Sequence, residues 1–371
     1  MKIHSIELLK LALPMIHSFE TSFGRLEHTD TVIVKLTTND GIVGFGESPT
    51  LHAPLYNPET ADTAMLILEK FLAPSVIGKE FSTPDEFRAS YANIIGNHTA
   101  KTGLECAFWH AYALKQKKSL KELFGGVRDV VPVGESIGIK SSVEETIDEI
   151  AQRLAEGYVR IKVKIKPGWD VSLTAKIRER YPSIPLMLDG NSAYSLEKHL
   201  DILKTLDQFN LMMIEQPLAE DDIIDHATLQ KELATPICLD ESIKSAEDAR
   251  KAIQIGACKI INIKPGRVGG IVESINIHNI AQKHSVGVWC GGLLESGIGR
   301  AFNIAIASKE NYIYPADMSP YHHFYQEDLI EPSYIVKQDG TIDVPIEPGL
   351  GYTIQEDRIK KYTTTRVMIA A

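Results

Sequence analysis

Ile161-Lys162-Val163-Lys164-Ile165 is the stretch that decides how the rest of this 371-residue chain is read. It has the alternation of a β-strand but inverted chemistry. Side chains point to opposite faces in turn, so the three apolar residues share one face and the two lysines the other. In a sheet covered by helices the apolar face meets the helices, and the lysines then look inward. Two ammonium groups there are costly unless anions face them. The next stretches supply anions: Leu186-Met187-Leu188-Asp189, Met212-Met213-Ile214-Glu215 and Ile237-Cys238-Leu239-Asp240 each end in a carboxylate. Ile261-Asn262-Ile263-Lys264 ends in a further lysine. The successive separations from Lys164 to Lys264 are 25, 26, 25 and 24 residues. One charged residue thus leaves each unit, and the reading places them at equivalent heights.

Outward from this stretch the pattern repeats. Short β-rich runs occur near 130–137, 159–165, 185–189, 211–215, 236–240, 259–263, 286–290 and 312–315, with helical segments between them. Alternation of this kind implies a parallel sheet with right-handed crossovers. Eight units in roughly 190 residues suit a closed β/α barrel, although no last helix can be placed. An open doubly wound sheet is the alternative, and the absence of G-x-G-x-x-G after the first strand counts against its dinucleotide-binding form. Upstream, residues 3–13, Thr31 to Thr37 and Ile42 to Glu47 read as strands, with Thr38-Asn39-Asp40-Gly41 as a hairpin turn. Residues 59–78, 84–94 and 100–118 read as helices. The expected domains are an α+β capping domain at 1–127 with lid loops, a barrel at 128–321, and a segment 322–371 that returns to the cap.

Composition narrows the function. Lys+Arg is 39 and Asp+Glu 49, a net charge of −10, which argues against a nucleic-acid partner. Cys106, Cys238, Cys258 and Cys290 stand far apart, so a zinc site or disulfide framework is not expected. No signal peptide and no run of 18 apolar residues is present, and a cytoplasmic protein without a membrane partner is expected. An acidic barrel protein of this kind is expected to form a homo-oligomer.

Each charged strand end, taken alone, has a plain structural reading: a solvated lysine, or an aspartate capping a helix. Five in succession do not. Three carboxylates converging at the strand C-termini, the active face of such barrels, need a cation. All-oxygen ligation suits Mg²⁺, with Mn²⁺ as the alternative. The lysines lie half a turn apart, with the carboxylates between them. A metal-bound carboxylate substrate has an acidified α-carbon, because the cation stabilises the ene-diolate left when the α-proton departs. Lys164 is suited to take that proton, since Lys162, the metal and burial all favour its neutral amine. Lys264 stands opposite as second acid/base or as a cation.

Lys162-x-Lys164, Asp189-x-Asn191, Glu215-Gln216-Pro217, Asp240-Glu241-Ser242 and Lys264-Pro265-Gly266 resemble the enolase superfamily, muconate-lactonizing-enzyme subgroup. The resemblance spans nearly the whole chain. It implies a modified (β/α)₇β TIM barrel under an α+β cap, which accounts for the missing helix. Finer motifs are similar to the group of o-succinylbenzoate synthases and N-succinylamino acid racemases. They include Thr21-Ser22-Phe23-Gly24, Ala53-Pro54-Leu55-Tyr56, Gly126-Val127-Arg128-Asp129, Gly168-Trp169-Asp170, the run Asn262 to Gly270 and Trp289-Cys290-Gly291-Gly292.

By that likeness Asp189, Glu215 and Asp240 bind Mg²⁺, and Lys164 and Lys264 are the acid/base pair. Lys162 holds the substrate carboxylate, with Ser136, Asn191, Phe19, Phe23, Tyr56 and Gly292 as further substrate contacts. Arg267 is associated with racemisation, and Glu241 supports the ligands from behind. The implied reactions are dehydration of 2-succinyl-6-hydroxy-2,4-cyclohexadiene-1-carboxylate in menaquinone biosynthesis and racemisation of N-acylamino acids. A muconate cycloisomerase or dipeptide epimerase is the alternative within the subgroup. The epimerases carry Asp-x-Asp after the last barrel strand, whereas this chain has Asp317-Met318-Ser319. Outside enzymes, the alternative is a binding or structural protein that keeps the barrel.

Overall fold

The computed structural model describes residues 1–21 and 24–370. Strands β1 (Ile3–Thr21), β2 (Gly24–Thr38) and β3 (Val43–Pro49) form an antiparallel meander. The C-terminal strand Thr363–Ala370 pairs with the free side of β1, so the tail completes the cap sheet. The Asp40-Gly41 turn lies where expected, with Gly41 at φ +82° and the Thr38 hydroxyl on Asp40 at 2.6 Å. The first two strands are longer than the residues 3–13 and Thr31 to Thr37 of the sequence reading. Pro14, just past the expected range, pairs with His28, and the ladder resumes at Phe19 after a register shift. The tail strand stops at Leu11, so Pro14 has no tail-strand partner to donate to, and its missing N–H costs no bond of that ladder.

The helix His98–Gln116 lies directly on β3. Its approach requires glycine: a Cβ at Gly46 would stand 2.2 Å from the Gly103 carbonyl oxygen and 2.5 Å from the Ala107 nitrogen. Both are backbone atoms of a long helix and cannot move alone. Gly46→Ala is therefore expected to destabilise the protein by about 3 kcal/mol, the upper end of overpacking costs. A melting temperature equal to wild type would refute this close packing.

The second sheet is the barrel. Its strands are β4 (Val130–Ile137), β5 (Ile161–Lys164), β6 (Leu186–Asp189), β7 (Met213–Glu215), β8 (Ile237–Leu239), β9 (Ile260–Ile263), β10 (Gly287–Cys290) and β11 (Ala316–Asp317). They run parallel in sequence order, and β11 lies beside β4, leaving the barrel nearly closed. Helices follow the first seven strands, whereas β11 leads only into the short 3₁₀ turn Tyr321–His323. The eighth strand is thus not at 312–315. Tyr312 and Ile313 lean on Val288 of β10, and pairing with β4 begins only after Pro315, which has no N–H to donate.

Alternation decides what each face does. Ile161, Val163, Ile214 and Ile261 point outward into the large helix-covered core. Met187, Met213, Cys238, Ile260 and Trp289 point inward and form a small apolar floor. The polar side chains stand above that floor. All four cysteines are buried and free. Among the described residues, no helix is long and apolar enough to cross a membrane.

Two cap carboxylates dock the cap on the barrel. Glu47 of β3 accepts from the Ser296 and Gly299 N–H groups at 3.1 and 3.0 Å, at the start of the helix Gly297–Ala307. Glu105 accepts from the Val272 N–H at 2.8 Å, at the start of the helix Ile271–Lys283. A carboxylate at a helix N-terminus satisfies orphan donors and meets the positive end of the dipole. The cap is thereby held over the strand C-termini.

Candidate active site

The inward face of β5 places Lys162 and Lys164 in the barrel, both buried. Backbone register sets Lys164 beside Asp189, and Asp189 beside Glu215. The next step differs from the equal heights of the sequence reading: Glu215 pairs with Cys238, so Asp240 stands two residues further along. Cys238 pairs with Ile260, and Lys264 is higher again. Strands of a closed barrel are tilted and staggered, and a shift of two preserves the facing of every side chain. The charged ends consequently climb around the mouth while all still point inward.

The carboxylates and cations meet directly. The Lys164 ammonium donates to Asp189 Oδ2 at 2.6 Å and to Asn191 Oδ1 at 2.7 Å. Lys162 lies 3.1 Å from Glu215 and 3.5 Å from Asp189. Lys264 donates to Asp240 Oδ2 at 2.7 Å, and Arg267 donates to the other oxygen of the same carboxylate. Asn262 donates to Glu215 at 2.7 Å, and Asn191 donates to Glu241 at 2.8 Å. From the cap, the Tyr56 hydroxyl donates to Asp240 at 3.0 Å and accepts from Lys264 at 3.0 Å.

Electrostatics follow from this packing. Burial opposes charge on Lys162, but Asp317, Glu215 and Asp189 outweigh it and hold the ammonium above its ordinary pKa. Lys264 is likewise raised against the burial penalty, by Tyr56, Glu215 and Glu241. Burial would raise Asp189, yet Lys164 and Lys162 pull it well below the carboxylate range. Glu215 is pushed up by burial and by the Asp189 charge. Glu241 is pushed up to about 7 by the same two causes. Burial takes the Tyr56 phenol to about 12.

The donors fit a hard divalent cation by their chemistry. Asp189, Glu215 and Asp240 are buried carboxylates on successive strands, and Glu241 Oε2 beside them has no hydrogen-bond partner. Oxygen ligands of this type suit Mg²⁺ or Mn²⁺. Among the described residues, no three acidic, histidine or cysteine side chains already stand together as a metal-holding group. The oxygens are engaged by the lysines instead, so a cation would compete with them for the same atoms.

A cavity opens above this row. Ser136, Lys162, Lys164, Asn191, Lys264, Tyr56 and Gly292 line it. The expected residues are thus brought together, with two exceptions. Phe23 lies outside the described residues, and so does the Phe19 side chain. Arg267 and Glu241 stand behind the lining, on Asp240 and Asn191. The sequence reading missed Asn262, Arg300 and Phe324, and it treated Asp317 only as half of a motif. Asn262 and Asp317 had a legible signal, since each is a polar residue at an inward-facing strand position. Arg300 and Phe324 line the cavity from a helix and a loop, where no period marks them.

Fold and site define a parallel barrel with a buried, charged mouth at its strand C-termini, the layout of a barrel enzyme. Residues 6–125 match the mandelate racemase/muconate lactonizing enzyme N-terminal domain, and residues 145–358 match the enolase C-terminal domain-like family. The chain belongs to the enolase superfamily and is an enzyme of that superfamily, acting on a small molecule. It is 46% identical over 363 residues to an o-succinylbenzoate synthase of Bacillus subtilis (98% of this chain, 97% of the relative). It is 42% identical over 363 residues to an N-succinylamino acid racemase of Thermus thermophilus (98% of each). A crystal structure of an enolase superfamily member from Listeria innocua superposes with a TM-score of 0.96 at 38% identity, covering 100% of this chain and 99% of that one.

Proposed function

We propose that this enzyme removes the α-proton of a carboxylate substrate, acting as an o-succinylbenzoate synthase, with racemisation of N-succinylamino acids as a second reaction of the same site. The observation that carries the reading is the pair of buried lysines, Lys164 and Lys264, set on opposite sides of one row of carboxylates. Relatives bearing each of the two names align over nearly the whole chain, which supports one site serving both reactions.

Magnesium dependence is typical of the family, and Asp189, Glu215 and Asp240 are the residues that would hold Mg²⁺ here. Bound there, the cation supplies charge neutralisation for the substrate carboxylate as its α-carbon becomes acidic. Lys162, with Ser136 beside it on β4, holds that carboxylate. Lys164 Nζ takes the α-proton, and Asn191 orients it. In the synthase reaction the ring hydroxyl then leaves with that proton as water, and the ring becomes aromatic. In racemisation Lys264 Nζ gives a proton to the opposite face while Lys164 keeps the one it removed. Synthase chemistry needs one proton carrier, whereas racemisation needs both.

The test is incubation of the protein with Mg²⁺ in D₂O, with the cyclohexadiene carboxylate and with an N-succinylamino acid separately. Conversion of the first to o-succinylbenzoate, and deuterium at the α-carbon of the second, are expected. Failure of both would overturn the reading. Dehydration without exchange of the amino acid would restrict it to the synthase.

A further inference from the structure

Asp317 ends β11 inside the barrel and is buried. Its two oxygens serve two different cations. Oδ1 accepts from Arg160 at 2.6 Å, and Oδ2 lies 2.5 Å from the Lys162 ammonium. Its carbonyl accepts from Arg300 at 2.6 Å. Arg160 is itself held from further sides. It donates to the Pro315 carbonyl at 2.9 Å and lies over the Trp289 ring at 5.3 Å, beside Lys162 at 5.0 Å. The Asp317 carboxylate is therefore fixed on one side, and that fixes where its other oxygen points.

Lys162 has three carboxylates around it: Asp317, Glu215 and Asp189. Two of them are candidate metal ligands. Once their oxygens are committed to a divalent cation, Asp317 is the anion that remains to Lys162. It is also the nearest of the three, at 2.5 Å against 3.1 Å for Glu215 and 3.5 Å for Asp189.

We propose that Asp317 is a positioning residue for Lys162. Locked by Arg160, it is the anion that holds the ammonium at the barrel wall once Glu215 and Asp189 are committed to a cation, and it leaves that ammonium turned toward the substrate carboxylate. The proposal rests on the reading of Lys162 as the group that holds that carboxylate. It also gives Asp317 a partner within the protein, so its oxygens are not left to bind an amine of the substrate.

The test is a double-mutant cycle of Asp317→Asn and Lys162→Met, with kcat and KM measured and with Mg²⁺ binding to the substrate-free proteins followed calorimetrically. Asp317→Asn is expected to lower kcat by about 10- to 100-fold, the range for residues that orient others. It is expected to weaken Mg²⁺ by about 10-fold, because the released ammonium competes for Asp189 and Glu215. In the Lys162→Met background the same substitution should change both by less than about twofold, the scatter within which independent effects add. A kcat and Mg²⁺ affinity like wild type, or an equal loss in both backgrounds, would overturn the proposal. Removing one partner of a buried pair can unfold a protein. If Asp317→Asn does not fold, the cycle is run with Arg160→Met/Asp317→Asn, which removes the second cation with its anion. Should the wild type exchange no α-proton, the functional reading fails, yet the Mg²⁺ titration still decides whether Asp317 restrains Lys162.

Discussion

Lys164→Ala is expected to lose α-proton exchange and dehydration by about 10²- to 10⁴-fold, the contribution of a positioned general base. Its amine lines the cavity where the substrate would sit. Asn191 and Asp189 hold it from two sides at 2.7 and 2.6 Å, which leaves the nitrogen one direction in which to meet substrate. The loss should not come from unfolding. Asp189 keeps Lys162 at 3.5 Å when Lys164 is gone, so no bare charge is left in the barrel. Deuterium uptake and product formation measure the effect, with a thermal melt beside them. The Lys264→Ala variant gives the contrast: racemisation is lost, while dehydration keeps its base. Turnover near wild type in Lys164→Ala would refute the assignment of the base.

Removal of divalent metal is the second large effect. Exhaustive EDTA treatment is expected to lower both activities by about 10³-fold, since a cation at a developing oxyanion is worth several kcal/mol and each 1.4 kcal/mol is tenfold. Mg²⁺ or Mn²⁺ added back should restore them. The fold should survive, because each candidate ligand already has a cation. Lys164 is 2.6 Å from Asp189, Lys162 is 3.1 Å from Glu215, and Lys264 is 2.7 Å from Asp240. The same pairs neutralise the three buried carboxylates. They also imply that metal binding must displace ammonium groups, which ties metal occupancy to the freeing of the lysines. Activity that persists through chelation would rule out the metal role.

Much of this was legible in the chain itself. Alternation along Ile161-Lys162-Val163-Lys164 is a local property of a strand, so it states which side chains face inward whatever their partners. The recurrence of Asp189, Glu215, Asp240 and Lys264 at nearly constant spacing then reports one βα unit after another. The Asp40-Gly41 turn and the lack of a last barrel helix are local in the same sense. The extent of β1 past residue 13 and the place of the last barrel strand were not legible, because a proline's cost depends on which side of the strand is paired. That is set by the tail strand in one case and by β4 in the other.

Partnership was decided only by the tertiary structure. Lys162 meets Glu215 across 53 positions, Arg160 meets Asp317 across 157, and Tyr56 of the cap meets Asp240 across 184. No period in the sequence encodes such pairs. They depend on how the barrel closes, on the two-residue stagger at β8 and β9, and on the cap being pinned by Glu47 and Glu105. The sequence by itself determined which charges enter the barrel, because facing follows from the alternation of a strand. The fold decided which charge neutralises which, because Coulomb energy and hydrogen bonding fall off within a few ångströms, and only closure of the barrel brings distant residues that near.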